Sequence, residues 1–561
     1  MRVGVAGDGP AVEAFEAALG DVDATVERVA PAAVGEYPLG AVVAPTGAPA
    51  FDAADGARRW VAVEVGGLGG HSFSDLDAAV SVLGGVTYAD LRTRVASAAD
   101  DASDDPPRGD RSAVRLAGAV AGRRAVSTLT GADLDGTVVE VPGTERRVLP
   151  VPDPADRDRT LDRTHREASL DDAVDRAERA VDDRVGLLTA VGEQSSFPLP
   201  YYVARTADTT AFADARAAEF AAGADADWDR AFVKALGEGL ERYCAGVYRP
   251  TEFAVAPERA RPNPVSPAAF VRPEGYRAPD PEEPIPWVEG ADLATGESVS
   301  LPAEFVHYPP PTERHRPAIT TGLGLGNSGV EALCSGLYEV LEREATMLAW
   351  YSTYDPLELA VDDEEFDALR ARARAESLTV TPLLVTATVD VPVVAVAVHR
   401  ENEWPRFAVG SGASLDAADA ARSALAEALQ NWTELRAMGP DRAREEEGAI
   451  GRYADFPAEA RALVDADDTV PAASVGPDPC PTGAAELDAV VDRAQAGGLS
   501  VYAARVTTPD VAGLGFEAVR VLCPSAQPLF VGDPYFGDRA ESVPRELGYE
   551  PRLDRPFHPY P

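Results

Sequence analysis

Apolar positions along this chain recur in two rhythms, one of strands and one of helices. Val3-Gly4-Val5-Ala6 leads into Gly7-Asp8-Gly9-Pro10 and then into Ala11–Leu19, which reads as strand, glycine turn and helix. Met1–Ala6 is the expected strand, with no sign of a signal peptide. Short strands and helices alternate to about Val95, the pattern of a small Rossmann-like unit. The dinucleotide fingerprint is defective, however. Gly7 and Gly9 fit, Val12 stands where the third glycine belongs, and Glu27 lies near the ribose-acid position without a convincing βαβ partner. A degenerate domain that binds no nucleotide is therefore expected over residues 1–96. Residues 97–112, full of Asp, Ala, Ser and Pro, read as an acidic linker. Residues 113–185 read as a small connecting region with a short β segment and a charged helix, Leu170–Val185. From residue 186 to 561 the pattern is one long domain ending in a proline-rich tail, Arg555–Pro561. The expected fold class is α/β (mixed α+β). The most apolar stretch, Pro382–Val398, is broken by Asp390 and Pro392. It reads as two strands, too short to cross a bilayer.

Three helical segments carry acids among apolar neighbours. The first is Lys234…Glu238…Glu241-Arg242, with Glu238 and Glu241 three apart on one helix face. The second opens with Gly322-Leu-Gly-Leu-Gly326-Asn327 and continues through Glu331, Glu339, Glu342 and Arg343. Eight and eleven residues turn about 80° and about 20° beyond whole helical turns, so its three glutamates share a stripe. The third holds Glu427 and Gln430. Leu236, Leu240, Leu333, Leu337, Leu425 and Leu429 surround these acids, which marks the helices as buried. Converging buried carboxylates are untenable without compensation. Arg242 and Arg343 offset part of the charge, and Mg²⁺, a hard cation that takes oxygen ligands, accounts for the rest. Metal ions would also reconcile this nest of glutamates with a triphosphate. The glycine-rich entry at Gly322–Asn327 offers backbone N–H groups to phosphate oxygens, and no G-x-x-x-x-G-K-[ST] run is present.

These residues resemble the YcaO family. Lys234…Glu238…Glu241-Arg242, then Asn327…Glu331…Glu339…Glu342-Arg343, then Glu427…Gln430 follow the order and spacing of that family's ATP-site signature. The likeness covers about Gly186 to Pro561 and includes the proline-rich terminus of azoline-forming cyclodehydratases of the SagD type. The resemblance implies an enzyme that binds ATP with several Mg²⁺ and phosphorylates the oxygen of a peptide backbone amide after a nucleophile has added to it. The products would be azolines or thioamides in a ribosomally made peptide or a protein. By the same likeness Glu238, Glu241, Glu331, Glu339 and Glu342 hold metal. Lys234, Glu238, Arg242, Asn327, Arg343, Glu427 and Gln430 complete the nucleotide site, and Pro561 presents a catalytic carboxylate. Lys234 replaces the family's serine, either as a phosphate-directed charge or as a tolerated surface change, and Thr321 replaces its asparagine. An accessory role beside a ribosomal-protein methylthiotransferase and a non-catalytic ATP- and peptide-binding scaffold are the alternatives. Peptide recognition or sulfur delivery by a separate protein is compatible with the short N-terminal region, and relatives often form homodimers.

Composition changes this picture at its edges. A chain of 561 residues needs two or three cores. A net charge of −42 repels nucleic acid and anionic membranes. Lys234 is the only lysine among 51 basic residues, a bias that reads as a halophilic, cytoplasmic protein with most acids serving as surface solvation. Cys244, Cys334, Cys480 and Cys523 form no C-x-x-C pair, which excludes a zinc ribbon and a disulfide framework. Three of them sit in apolar or helical contexts and read as small packed hydrophobes. The six histidines form no metal pattern.

Overall fold

The computed structural model describes residues 2–22, 24–153, 156–445, 449–466 and 468–561. Met1, at the start of the expected first strand, lies outside them. The chain divides into two compact units. One comprises Met1–Asp153, Glu178–Ala190 and Arg205–Ala213; the other comprises Pro154–Ala177, Val191–Ala204 and Asp214–Pro561.

The first unit is built on a seven-stranded sheet in the order Thr25–Arg28, Arg2–Ala6, Gly40–Pro45, Trp60–Val65, Ala78–Leu83, Thr137–Val141, Glu145–Arg147. The first four strands are parallel and the remainder antiparallel. The Rossmann-like opening is thus present, but the unit runs well beyond residue 96. Where the sequence suggested a linker and a β segment, Arg111–Leu129 is a helix whose buried positions are Val114, Ala117, Gly118, Ala121, Gly122, Ala125 and Thr128. Alanine and glycine give that stripe little hydrophobic contrast, which hides its helical period. Gly118 and Gly122 seat it on the helix Pro10–Gly20: a Cβ at Gly118 would lie 2.0 Å from the Ala11 oxygen. The charged helix after it is shorter than expected, Leu170–Glu178.

The glycine turn of this unit serves packing. Gly7 has φ +111°, and a Cβ there would lie 2.2 Å from the Val43 oxygen; Val12 is fully buried. The Glu27 carboxylate accepts from Arg2 at 2.5 and 2.7 Å and from the Tyr37 hydroxyl at 2.8 Å. These hydrogen bonds, Arg2 first, hold its carboxyl down at about 2. This acid is committed to an ion pair within the sheet edge.

The second unit contains a six-stranded sheet, with Tyr502–Arg505, Glu517–Leu522 and Leu323–Gly326 as consecutive neighbours, and a five-stranded sheet in the order Phe407–Ala413, Val393–His399, Thr379–Leu384, Leu357–Ala360, Thr469–Pro471. The broken apolar stretch does form two antiparallel strands of this second sheet. No helix among the described residues is long and apolar enough to cross a membrane. Three long helices, Trp228–Gly246, Gly329–Trp350 and Ala417–Met438, carry the acidic motifs. We refer to them as the 228, 329 and 417 helices.

Candidate active site

Each acidic helix lies directly on a strand through a glycine. A Cβ at Gly223 would sit 2.2 Å from the Ala235 nitrogen of the 228 helix, one at Gly324 would sit 2.3 Å from the Ala332 oxygen of the 329 helix, and one at Gly410 would sit 2.4 Å from the Ala428 nitrogen of the 417 helix. Next to Gly223 and Gly410 a strand N–H, and just before the strand of Gly324 a turn N–H, donates to a glutamate of the overlying helix. Ala222 N–H donates to Glu238 Oε2 at 2.9 Å, Gly322 N–H to Glu339 Oε2 at 2.9 Å, and Ser411 N–H to Glu427 Oε2 at 2.6 Å. The sequence separations are 16, 17 and 16 residues. The chain therefore repeats one device three times: a strand pressed onto a helix, with a backbone N–H fixing one carboxylate oxygen.

The other acids and their counter-charges close around these anchors. Arg242 Nη2 donates to Glu238 Oε1 at 3.1 Å, and its Nη1 lies 3.4 Å from Glu241. Arg343 lies 4.0, 3.7 and 3.8 Å from Glu339, Glu342 and Glu427, too far for good hydrogen bonds. The Ser411 hydroxyl donates to Glu342 Oε1 at 2.7 Å. Burial raises the Glu241 carboxyl to about 7, against the pull of Arg242 and with the help of Glu339 and Glu238. Burial also raises Glu342 and Glu427, opposed in both by Arg343. The acids outnumber the cations beside them, the condition that like-charged carboxylates meet only with a further cation or a bound proton.

The structure places the sequence-derived residues unequally. Glu238, Glu241, Arg242, Glu339, Glu342, Arg343 and Glu427 are drawn together. Glu331 is not. It occupies the first turn of the 329 helix, where Asn327 N–H donates to its Oε2 at 2.5 Å and Ser328 caps the helix at its nitrogen. Eight residues of helix put it about 12 Å along the axis from Glu339. The Asn327 side-chain oxygen accepts from Arg176 and its backbone oxygen from Arg166. Gln430 donates to Glu434 Oε1 at 3.1 Å, which also accepts from the Tyr201 hydroxyl at 2.8 Å. The backbone oxygen of Pro561 accepts from Arg343 Nη1 at 2.9 Å. Lys234 is not a free charge, since its Nζ lies 2.6 Å from Asp225 Oδ2.

Ser411, Glu434, Tyr201 and Arg520 escaped sequence reasoning. Gly410-Ser411-Gly412 inside an apolar strand was the one available signal. Arg520 is 1 % exposed and donates to the Thr320 and Ile319 oxygens at 2.8 Å each, pinning the approach to Gly322.

Among the described residues, no three His, Cys, Asp or Glu side chains converge tightly enough to hold a metal ion. Backbone N–H groups and arginines engage one side of several of these carboxylates. The donor chemistry nevertheless suits Mg²⁺. All the candidate ligands are carboxylate oxygens, and Glu339 Oε1 and Glu342 Oε2 accept no hydrogen bond from any described residue. One turn before Glu238 and Glu427 lies a cleft of about 400 Å³ lined by Lys234, Arg230, Tyr338, Ser414, Arg422 and Ser423, among others. Its cations are paired: Arg230 and Lys234 with Asp225, and Arg422 with Asp363.

A cleft of ligand size on the same helices as a cluster of partly unsatisfied carboxylates is the setting of an enzyme site in this mixed α/β fold. Residues 222–527 match the sequence profile of the family described as YcaO cyclodehydratase, ATP- and Mg²⁺-binding. The chain belongs to this family, and it is an ATP- and Mg²⁺-dependent enzyme of peptide-backbone activation. Among solved structures it is similar to a heterocyclase in complex with substrate and cofactor, at 17 % identity and a TM-score of 0.72, covering 98 % of this chain and 83 % of the other. The heterocyclase TruD is similar at 15 % identity and a TM-score of 0.66, with 98 % and 82 % covered. These two show the shared fold. A YcaO from Methanopyrus kandleri bound with AMPPCP and Mg²⁺ is similar at 26 % identity and a TM-score of 0.50, covering 64 % of this chain and 91 % of that one. A comparison with curated proteins finds no match.

Proposed function

We propose that this chain forms azoline rings in a ribosomally made peptide, using the glutamates of the three helices as its metal and phosphate site. The observation that carries this reading is the threefold helix device, which fixes Glu238 beside Arg242 and Glu339 and Glu427 beside Arg343, with Glu339 Oε1 and Glu342 Oε2 unsatisfied. Glu238, Glu241, Glu339 and Glu342 would hold Mg²⁺, and Glu331 acts as a helix cap. Mg²⁺ bound there would bridge the phosphates and take up their charge.

The remaining residues follow from charge. The cleft beside Lys234 is close to neutral once its ion pairs are counted, so it suits the base and ribose, while the phosphates turn toward the acids. Arg242 and Arg343 balance the glutamates and orient them. A Cys, Ser or Thr side chain of the peptide adds to the preceding carbonyl. The resulting oxygen then takes a phosphoryl group, and loss of phosphate leaves the ring. The Methanopyrus kandleri relative, solved with AMPPCP and Mg²⁺, supports the same nucleotide site here. We further read the acidic surface as that of a salt-adapted cytoplasmic enzyme.

The test is Mg²⁺-dependent ATP turnover in molar KCl, with wild type, Glu339→Gln and Glu342→Gln compared alongside Mg²⁺–AMPPCP binding. Both variants should lose turnover and weaken binding. Full nucleotide binding and turnover in both would make these acids structural and end the reading.

A further inference from the structure

Arg316 is 7 % exposed and stacks on two rings, 4.8 Å from the Phe305 centroid and 5.5 Å from that of Phe270. Among the described residues it has no hydrogen-bond or ion-pair partner. The acid acting on it, Glu304, is already engaged by the N–H groups of Arg314 and His315 at 2.8 and 2.7 Å and by His315 Nδ1 at 2.7 Å. A guanidinium stays protonated in proteins and offers donors in a fixed fork, so leaving one nearly buried and unpaired is costly. The Tyr535 hydroxyl, which Arg316 acts on electrostatically, is likewise buried without a partner among the described residues.

Arg316 lines a small cavity of about 30 Å³ together with Thr321, Arg343 and Gln527. That volume holds about two water-sized atoms, too few for a nucleotide or a side chain. Arg343, the second guanidinium of the lining, spends one N–H on Pro561 and keeps its acids at 3.7 Å or beyond. Next to Thr321, Gly322 N–H holds Glu339, so the cavity borders the proposed phosphate site. Two cationic forks around a space of this size select a small oxygen anion.

We propose that Arg316 and Arg343 form an oxyanion pocket for the backbone carbonyl oxygen of the acceptor peptide, an inference that rests on the ATP-dependent reading above. When the peptide's thiol or hydroxyl adds to the carbonyl carbon, its proton goes to a base, the C=O π bond breaks, and the oxygen keeps that electron pair. The oxygen then bonds to phosphorus, and the nucleotide leaves with the electron pair of the broken P–O bond. Arg316 keeps its donors unpaired in a nearly buried position before the reaction, so they are in place for the charge as it develops.

The test compares full-length wild type, Arg316→Gln and Arg316→Lys in molar KCl, which saturates unspecific anion binding. Three quantities are read: Mg²⁺–AMPPCP affinity, the thermal shift caused by formate in the presence of Mg²⁺–AMPPCP, and peptide-free ATP hydrolysis, in which water takes the carbonyl's place. Expected are AMPPCP affinities within about threefold across all three proteins and a turnover loss of about tenfold or more in Arg316→Gln, partly recovered in Arg316→Lys. Formate should stabilise wild type and not Arg316→Gln. Wild-type formate response or turnover in Arg316→Gln, or no formate response in wild type, overturns the pocket. AMPPCP affinity falling in step with turnover would make Arg316 a nucleotide ligand instead. Absence of AMPPCP binding in wild type would remove the ATP reading and this inference with it.

Discussion

Arg343 Nη1 donates to the backbone oxygen of Pro561 at 2.9 Å while its Nε lies 3.7 Å from Glu342, so one guanidinium ties the tail to the acidic cluster. The tail is seated along its length. Trp350 Nε1 donates to the Pro556 oxygen and Arg555 Nη1 to the Trp350 oxygen, both at 2.8 Å, and Tyr560 is 1 % exposed.

Pro561 and Tyr560 should therefore separate chemistry from stability. Removing Pro561 alone takes away the oxygen that Arg343 holds and is expected to lower kcat by about a hundredfold, the scale of a misplaced group, with Mg²⁺–AMPPCP affinity unchanged. Tyr560→Ala is expected to cost about 3 kcal/mol of stability by emptying a core position. Turnover and calorimetry on both variants check this, and a parallel loss of AMPPCP binding on removing Pro561 would assign the tail to the nucleotide site.

Much of this site was legible because its acids interrupt helices that are otherwise apolar. Glu238, Glu241, Glu339, Glu342 and Glu427 stand beside Leu236, Leu240, Leu337, Leu341 and Leu425, a placement that calls for compensating charge. For Glu331 the helical period fixes the face it shares with Glu339 and Glu342 and not its distance along the axis. Ser411 and Glu434 lie close to Glu427 in sequence but belong to no spaced acid motif, and Arg316 comes from a segment outside the three helices. The helix Arg111–Leu129 was missed because Ala117, Gly118, Ala121 and Gly122 pack closely without being strongly hydrophobic.

His558 links tail docking to pH. Burial lowers its imidazole to about 4, with the Phe530 carbonyl, 2.9 Å from Nε2, pulling the other way. Its ordinary value is 6.5. Between the two the unfolded or undocked chain binds the extra proton, so stability is full above 6.5 and is lost as pH falls toward 4. The difference amounts to about 3 kcal/mol. Trp350 fluorescence, which reports the Pro556 contact, should change over this window in wild type and much less in His558→Gln. Identical profiles would remove His558 as the cause.

Thiol reactivity tests the cysteine reading. Cys244, Cys334 and Cys523 are buried and Cys480 is exposed. Burial pushes the Cys244 and Cys334 thiols up to about 12 and Cys523 upward as well, so none of these offers a thiolate at neutral pH. A disulfide-exchange reagent should label one thiol per native chain and four after denaturation. Cys480→Ser should abolish native labelling; a second fast thiol in that variant would contradict the packing.

The threefold strand–helix device makes the sharpest structural prediction. A Cβ at Gly410 would lie 2.4 Å from the Ala428 nitrogen, 2.5 Å from the Ala424 oxygen and 2.7 Å from Glu427 Cβ. None of these can yield unless the 417 helix lifts off its strand, which stretches the 2.6 Å bond from Ser411 N–H to Glu427. Gly410→Ala is thus expected to cost about 1–3 kcal/mol, as overpacking does, and to weaken Mg²⁺–AMPPCP binding through Glu427. Gly513→Ala is the control: nothing lies within 4 Å of its Cβ position, and alanine in that helix should stabilise by about 0.5 kcal/mol or more. Chemical denaturation and nucleotide titration measure both variants. A Gly410→Ala protein with wild-type stability and affinity would show that the close approach of helix and strand is incidental to the site.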